Sequence, residues 1–205
     1  MRETMLQQRI TQHFIDSAEL KYQSAPLLAP HIALAVQALI TCITSGNKVL
    51  VCGNGGSAAD AQHFAAELVG RFEHERPELA ALALTTDTSI LTAVANDYAF
   101  DQVFARQVRA LGQSGDVLVA ISTSGHSANV LQAIEAAHAR DMTVIGLSGR
   151  GGGAMAKLLR ETDVHLCVPH ERTARIQEVH LLTLHCLCDG VDALLLGETE
   201  PTHET

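Results

Sequence analysis

The chain is poor in basic residues. Across 205 residues it carries 14 Lys and Arg against 23 Asp and Glu, a formal net charge of −9. A nucleic-acid backbone needs clustered cations, so direct nucleic-acid binding is not expected. A small phosphorylated ligand stays open, because one local site can be neutral or positive within an acidic protein. Long uninterrupted apolar runs are also lacking. The apolar stretches are broken every few residues, which reads as no segment of the ~20 residues that span a bilayer. The first residues, MRETMLQQRITQHF, have no continuous apolar core of the signal-peptide kind. There is no CxxC spacing: Cys42, Cys52, Cys167, Cys186 and Cys188 are odd in number and sit mostly inside apolar runs. That pattern fits reduced, buried thiols better than disulfides or a cysteine metal site. No internal repeat and no low-complexity segment is visible. These absences lead to the expectation of a soluble, cytoplasmic protein without membrane contact. What is present, 47% apolar and 18% charged residues, suffices for one sizeable packed domain.

Residues 1–46 read as a helical segment for packing or oligomerisation. Leu6, Ile10 and Phe14 recur at four-residue intervals on one face. Pro26 and Pro30 predict a break there. HIALAVQALITCITSGN follows, apolar nearly all round, with Gly46 as its stop. From residue 48 short apolar runs take over: KVLVCG, LAALAL (79–84), DVLVAIS (116–122), MTVIGLSG (142–149) and VHLCVP (164–169). Helix-like segments at 57–70, 88–111, 127–139 and 152–160 separate most of them. Short strands alternating with helices predict an α/β domain, a parallel sheet covered on both faces. Ligands of such sheets bind beyond the carboxyl ends of the strands. A long helix, TARIQEVHLLTLHCLCDGVDALLLG, closes the domain at 47–197, and 198–205 reads as a frayed tail.

Two strand-end loops draw attention. CGNGGSAAD places Gly53, Gly55 and Gly56 where close backbone approach or positive φ is needed, with Ser57 as the expected N-cap. It is neither a Walker loop nor GxGxxG, so a plain tight turn remains the alternative. ISTSGHSANV clusters Ser122, Thr123, Ser124 and Ser127 around Gly125, with a helix starting near Ser127. Hydroxyls, backbone amides and a helix N-terminus can surround a phosphate without cations. A Ser-rich turn with one capping serine would look the same. His63 and Glu67, an i, i+4 pair, project from one helical face and can share a zinc ion or a simple surface contact. The closing helix offers Gln177, Glu178, His180 and His185. Periodicity favours Glu178 with His185, ~20° off the same face, over Gln177, ~80° away.

Taken together, CGNGGSAADAQHFAAEL, TAVAND, DVLVAISTSGHSANV and RIQEVHLLTLH, in that order, resemble the sugar isomerase (SIS) family of phosphosugar-binding domains. Within it the chain looks most like the phosphoheptose isomerases, over nearly its whole length. The resemblance implies a three-layer αβα sandwich with a central parallel sheet of about five strands, preceded by N-terminal helices. It implies one Zn2+ per subunit on His63, Glu67, Gln177 and His185. Gln177 is thus chosen by the resemblance, against the periodicity. Glu67 is cast as the catalytic base and His185 as its acid/base partner, leaving His180 as a helix-face histidine. Asn54, Gly55, Gly56 and Ser57 would contact the substrate, with Asn96 and Asp97 near its hydroxyls and Ser122, Thr123, Ser124 and Ser127 around its phosphate. Glu67 and Gln177 would touch it as well. Arg71 and Arg175 are further anion contacts or, equally, salt-bridge partners. One departure is Ala174, where some members carry an acidic residue before RIQE.

The implied activity is isomerisation of sedoheptulose 7-phosphate to D-glycero-D-manno-heptose 7-phosphate, for lipopolysaccharide core heptose, by a cytoplasmic homotetramer with sites between subunits. The alternative is a non-catalytic adaptor like the DnaA initiator-associating proteins, which share the fold and do not need the carboxylate. Glu67 therefore discriminates between the two and favours the enzyme. A phosphosugar sensor joined to a DNA-binding domain ranks lowest, because the first 46 residues are not basic and show no helix-turn-helix pattern.

Overall fold

A computed structural model describes residues 2–197, with side chains from residue 4 onward. The expected frayed tail, 198–205, lies outside the described residues. Five parallel strands form one sheet: β1 (Val49–Gly53), β2 (Ala81–Ala83), β3 (Val117–Ser122), β4 (Thr143–Ser148) and β5 (Val164–Cys167), in the order β2-β1-β3-β4-β5. Each lies within one of the five apolar runs, although LAALAL contributes only three residues to the sheet. The chain passes from β1 outward to β2, then returns to place β3 on the other side of β1. That reversal opens a crevice between the ends of β1 and β3, the place where ligands of open α/β sheets bind.

The strands are buried on both faces, so alternate residues feed two cores. Val49, Val51, Val117, Val119, Ile121, Ile145 and Leu147 face α1 (Arg2–Thr44), α2 (Gly56–Val69) and α7 (Thr173–Leu196). Leu50, Cys52, Leu118, Ala120 and Val144 face α4 (Val103–Leu111), α5 (Ala128–His138) and the short α6 (Met155–Leu158). The result is the three-layer αβα sandwich. The helix expected over 88–111 is broken into α3 (Thr88–Asp97), a 3-10 turn at Phe100–Gln102 and α4. That expected over 152–160 shrinks to α6, after a 3-10 turn at Arg150–Gly152. The three glycines Gly151, Gly152 and Gly153, all at positive φ, explain the delay.

The N-terminal segment corrects the sequence reading. It is one helix of 43 residues, not two, and runs through Pro26 and Pro30. Each proline removes an N–H and crowds the carbonyl four residues earlier. Spaced four apart, both lie on one exposed face, while Leu20, Ser24 and Leu28 on the opposite face are buried. Packing against α7 and β5 carries the helix across the fault. The apolar face at Leu6, Ile10 and Phe14 is exposed in the protomer. By length and composition alone two helices, Thr4–Thr44 and Thr173–Leu196, are long and apolar enough to cross a bilayer, a test that core helices also pass. Single polar interruptions do not lower the average of a long window. Here α1 and α7 pack against each other, and Leu184, Leu187 and Val191 of α7 belong to a sheet-side core.

Candidate active site

The first loop and α2 are set by two glycines. Gly55, at φ 57, occupies the N-cap position, and a Cβ on Gly56 would collide with Gln177 Nε2. Ser57 is therefore not the cap: it lies inside the first turn, buried, and no side chain caps this helix. Ala61, Phe64, Ala65 and Leu68 form the buried stripe of α2 at i, i+3, i+4 and i+7. Burying that stripe turns His63 and Glu67 to the helix edge that faces α7. Their side chains stay 42% and 22% exposed, open to a ligand.

On α7, the buried stripe of Ile176, Val179, Leu184, Leu187 and Val191 leaves Gln177 and His185 half-buried toward α2. His185 Nε2 stands 3.0 Å from His63 Nε2, with the rings edge-on, and the Phe72 ring lies 5.7 Å from that of His185. Glu67 Oε1 is 3.7 Å from the same His63 nitrogen, too far for a hydrogen bond. Gln177 lies over Gly56, at the loop end of α2. Glu178, which periodicity preferred, instead pairs with Arg175 at 2.5 Å.

Zinc–imidazole bonds of about 2.0–2.1 Å in a tetrahedral site put neighbouring ligand nitrogens roughly 3.3 Å apart. Two imidazole nitrogens at 3.0 Å fit such an edge, and the Glu67 oxygen needs only a small movement to supply another. The closed set is not already formed: among the described residues no three His, Cys, Asp or Glu side chains converge. His63, His185 and Glu67 fit a zinc ion as an open clamp, whereas Gln177, the fourth expected ligand, lies over Gly56 and is not brought to them. Asp60, one turn before His63, adds a carboxyl whose Oδ2 is buried without a partner. Burial raises its pKa, and His63 partly offsets this.

The hydroxyl loop sits at the end of β3. Ser122 and Ser127 share a hydrogen bond of 2.9 Å, and the Ser124 hydroxyl accepts from the His126 N–H at 3.2 Å. Ser127 is the N-cap residue of α5, but its hydroxyl makes no capping bond and stays directed at Ser122. Gly125, at φ 65, lets the loop press on the Arg150–Gly153 turn, where a Cβ would meet Gly152 O. The two loops are joined by a pair of amides: Asn54 Nδ2 donates to Asn129 Oδ1 and Asn129 Nδ2 donates to Asn54 Oδ1, each at 2.8 Å. Asn129 escaped the sequence reading, although it lies within ISTSGHSANV; an amide in the first turn of a helix at a strand end was the available signal.

Other candidates separate. Asn96 and Asp97 end α3, exposed, and bond to each other at 2.8 Å, with no hydrogen bond to either loop. Thr123 is half-buried in the hydroxyl loop. Arg71 is tied to Glu75 at 3.2 Å on the surface. Arg175 is buried and donates to His13 O, so it fastens α1 to α7. For both arginines the salt-bridge reading applies. His180, expected on a helix face, is 1% exposed and lies 3.0 Å from Ser148 O through Nε2. Burial pushes its pKa down to about 4.

The SIS domain profile matches residues 13–149 of the chain. The phosphoheptose isomerase of Methylibium petroleiphilum is 68% identical over 198 residues, covering 97% of this chain and 99% of that protein. Among solved structures, the phosphoheptose isomerase of Neisseria gonorrhoeae superposes with a TM-score of 0.88 at 56% identity, over 92% of this chain and 99% of its own. That of Francisella tularensis gives 0.88 at 48% identity, over 90% and 97%.

Proposed function

We propose, from the premise that the chain belongs to the SIS-domain family and within it to the phosphoheptose isomerases, that its crevice converts sedoheptulose 7-phosphate to D-glycero-D-manno-heptose 7-phosphate. The observation that carries this reading is the approach of His63 on α2 to His185 on α7, with the Glu67 carboxylate 3.7 Å from His63. It puts a carboxylate and imidazoles, the groups enediol chemistry needs, on two facing helices of one site.

The ketose must lose a proton from C1, pass through an enediol and regain a proton at C2. Glu67 removes and returns the carbon-bound proton. His185 serves the oxygens, giving a proton at O2 and taking one from O1. Ser122, Thr123, Ser124 and Ser127 hold the phosphate, helped by the amides that open α5. Asn54, Gly55, Gly56 and Gln177 line the loop end, and Asn96 and Asp97 lie near the sugar hydroxyls. His63, Glu67, Gln177 and His185 would hold the zinc ion. When bound, zinc supplies positive charge that stabilises the oxyanion of the enediolate.

Glu67 lies 11 residues beyond Gly56 along α2, about 16 Å at 1.5 Å per residue. The family reading makes the assembly a homotetramer with sites built between subunits. The exposed apolar face of α1 supports the same assembly. The product's place is the heptose of lipopolysaccharide core, made in the cytoplasm. No observation favours the DnaA-binding alternative, and Glu67, which that role would not need, is present.

The test is incubation of the purified protein with sedoheptulose 7-phosphate, with and without zinc chelation, following aldoheptose phosphate. Turnover is expected. A folded, zinc-loaded protein that gives none yet binds DnaA would replace this reading with the adaptor.

A further inference from the structure

We infer that Arg76 and Asp192 are positioning residues, a buried strap that holds α2 against α7 and so sets the spacing of Glu67 and His63 to His185. The inference rests on the isomerase reading above for its catalytic consequence.

Arg76 lies in the segment between α2 and β2, nine residues beyond Glu67. Its side chain is 1% exposed and that of Asp192 is 2% exposed. Arg76 Nε donates to Asp192 Oδ1 at 2.6 Å. The other end of the guanidinium turns back on α2: Nη2 donates to Glu67 O at 2.8 Å and Nη1 to Leu68 O at 2.9 Å. These two carbonyls belong to the last turn of α2, whose carbonyls have no partner within the helix. A cation there also meets the negative end of the helix dipole. One planar group thus grips the backbone of the proposed base itself, and no other side chain among the described residues bonds to those carbonyls.

The far end of the strap is equally placed. Asp192 is seven residues beyond His185, two turns along α7 and only ~20° off the same face. Arg76 therefore links the helix end that carries Glu67 to the face of α7 that carries His185. Cys188, buried between them, packs in the same core as Leu68 and Leu187. A buried ion pair is a poor way to gain stability, since apolar replacements of similar volume are often neutral or better. Asp192 Oδ2 is left without a partner, so this pair is not even fully satisfied. Retaining it makes sense if its value is geometric: a fork of fixed shape sets a helix spacing that apolar packing would leave looser.

The experiment compares Arg76→Met, Asp192→Leu, the double variant and Arg76→Lys with the parent chain. Four quantities are read: melting temperature, kcat, KM for sedoheptulose 7-phosphate, and the Kd for Zn2+ by calorimetry. Single removals strand a buried charge and are expected to melt early. The double variant strands none and is expected to melt within a few degrees of the parent. Its kcat should nevertheless fall tenfold or more and its zinc Kd rise at least tenfold, with KM within about twofold. Arg76→Lys keeps the Asp192 contact but cannot span both carbonyls; it should fold and show the same split to a smaller degree, so the inference stays testable if the double variant does not fold. Parental kcat and zinc affinity in either folded variant would overturn the strap. A parent chain without turnover would overturn the isomerase reading instead, and the zinc affinities would still decide the strap.

Discussion

His63 on α2 and His185 on α7 stand 122 residues apart in the sequence and 3.0 Å apart at their Nε2 atoms. Neither helix brings this about alone. α2 is fixed by Phe64 and Leu68 in the sheet-side core, and α7 by Leu184 and Leu187 in the same core. The imidazoles meet because two apolar stripes are buried side by side, and the polar edges of both helices are left facing each other.

Removing the proposed acid/base groups should abolish chemistry and spare binding. Glu67→Gln and His185→Gln are each expected to lower kcat by about 10²–10⁴, the usual worth of a positioned acid or base. KM should change little. Steady-state rates of aldoheptose phosphate formation check this, and full activity in either variant would sink the assigned roles.

The zinc proposal has its own readout. His63→Ala and His185→Ala should each abolish stoichiometric zinc, measured by elemental analysis of dialysed protein. The far-UV circular dichroism should remain that of the parent, because both imidazoles lie at a helix edge and neither belongs to the buried core. Zinc retained at parental stoichiometry in both would move the metal elsewhere.

The hydroxyl loop should act through binding. Hydrogen bonds to a charged group are worth about 1.5–3 kcal/mol each, so Ser124→Ala or Ser127→Ala should raise KM roughly 10- to 100-fold. The effect on kcat should be smaller. Inorganic phosphate, as a competitive inhibitor, should weaken in parallel. Unchanged KM in both variants would leave the loop a Ser-rich turn.

Stability should depend on pH through His180. Its folded pKa is pushed down to about 4, from the ordinary 6.5, by burial. Above pH 6.5 the ring is neutral in both states and costs nothing. Between 6.5 and 4 the unfolded chain takes up a proton that the folded protein refuses, so stability falls as pH falls. From pH 6.5 to 5 the loss from this group is on the order of 2 kcal/mol. Urea unfolding at pH 7.5, 6.5 and 5 measures it, and His180→Gln, which keeps a donor for Ser148 O, should flatten the slope.

The exposed face of α1 should hold the assembly together. Phe14 is 75% exposed and Tyr22 82% exposed in the protomer, on a helix that also bares Leu6 and Ile10. Phe14→Glu combined with Ile10→Glu should shift the protein from tetramer to smaller species in light scattering. If Glu67 and the phosphate loop of one site come from different subunits, activity falls with it.

Much of this is legible in the sequence. The five strands announced themselves as apolar runs because a parallel sheet buried on both faces has no polar positions to interrupt it. The glycines Gly53, Gly55 and Gly56 and the hydroxyls of Ser122, Thr123, Ser124 and Ser127 stand out because strand ends in such sheets are short and their composition is unusual; Asn54 is supplied only by the family resemblance. The helix through Pro26 and Pro30 was misread because a proline's local penalty is visible in sequence, and the packing of Leu20 and Leu28 that overrides it is not. An ideal helix also does not tell that the Gln177 amide lies over Gly56 while the Glu178 carboxylate is taken by Arg175.

Periodicity and local chemistry thus sufficed for the five strands, the covered parallel sheet and the hydroxyl loop, since each is encoded within a few neighbouring residues, but not for the continuity of α1 or the breaks within 88–111 and 152–160. The meeting of His63 with His185, the amide pair of Asn54 and Asn129, and the Arg76–Asp192 strap were decided only by tertiary structure. Each joins residues 75 to 122 positions apart, and a side chain's orientation across that separation is set by the packing of whole helices, which no local pattern records.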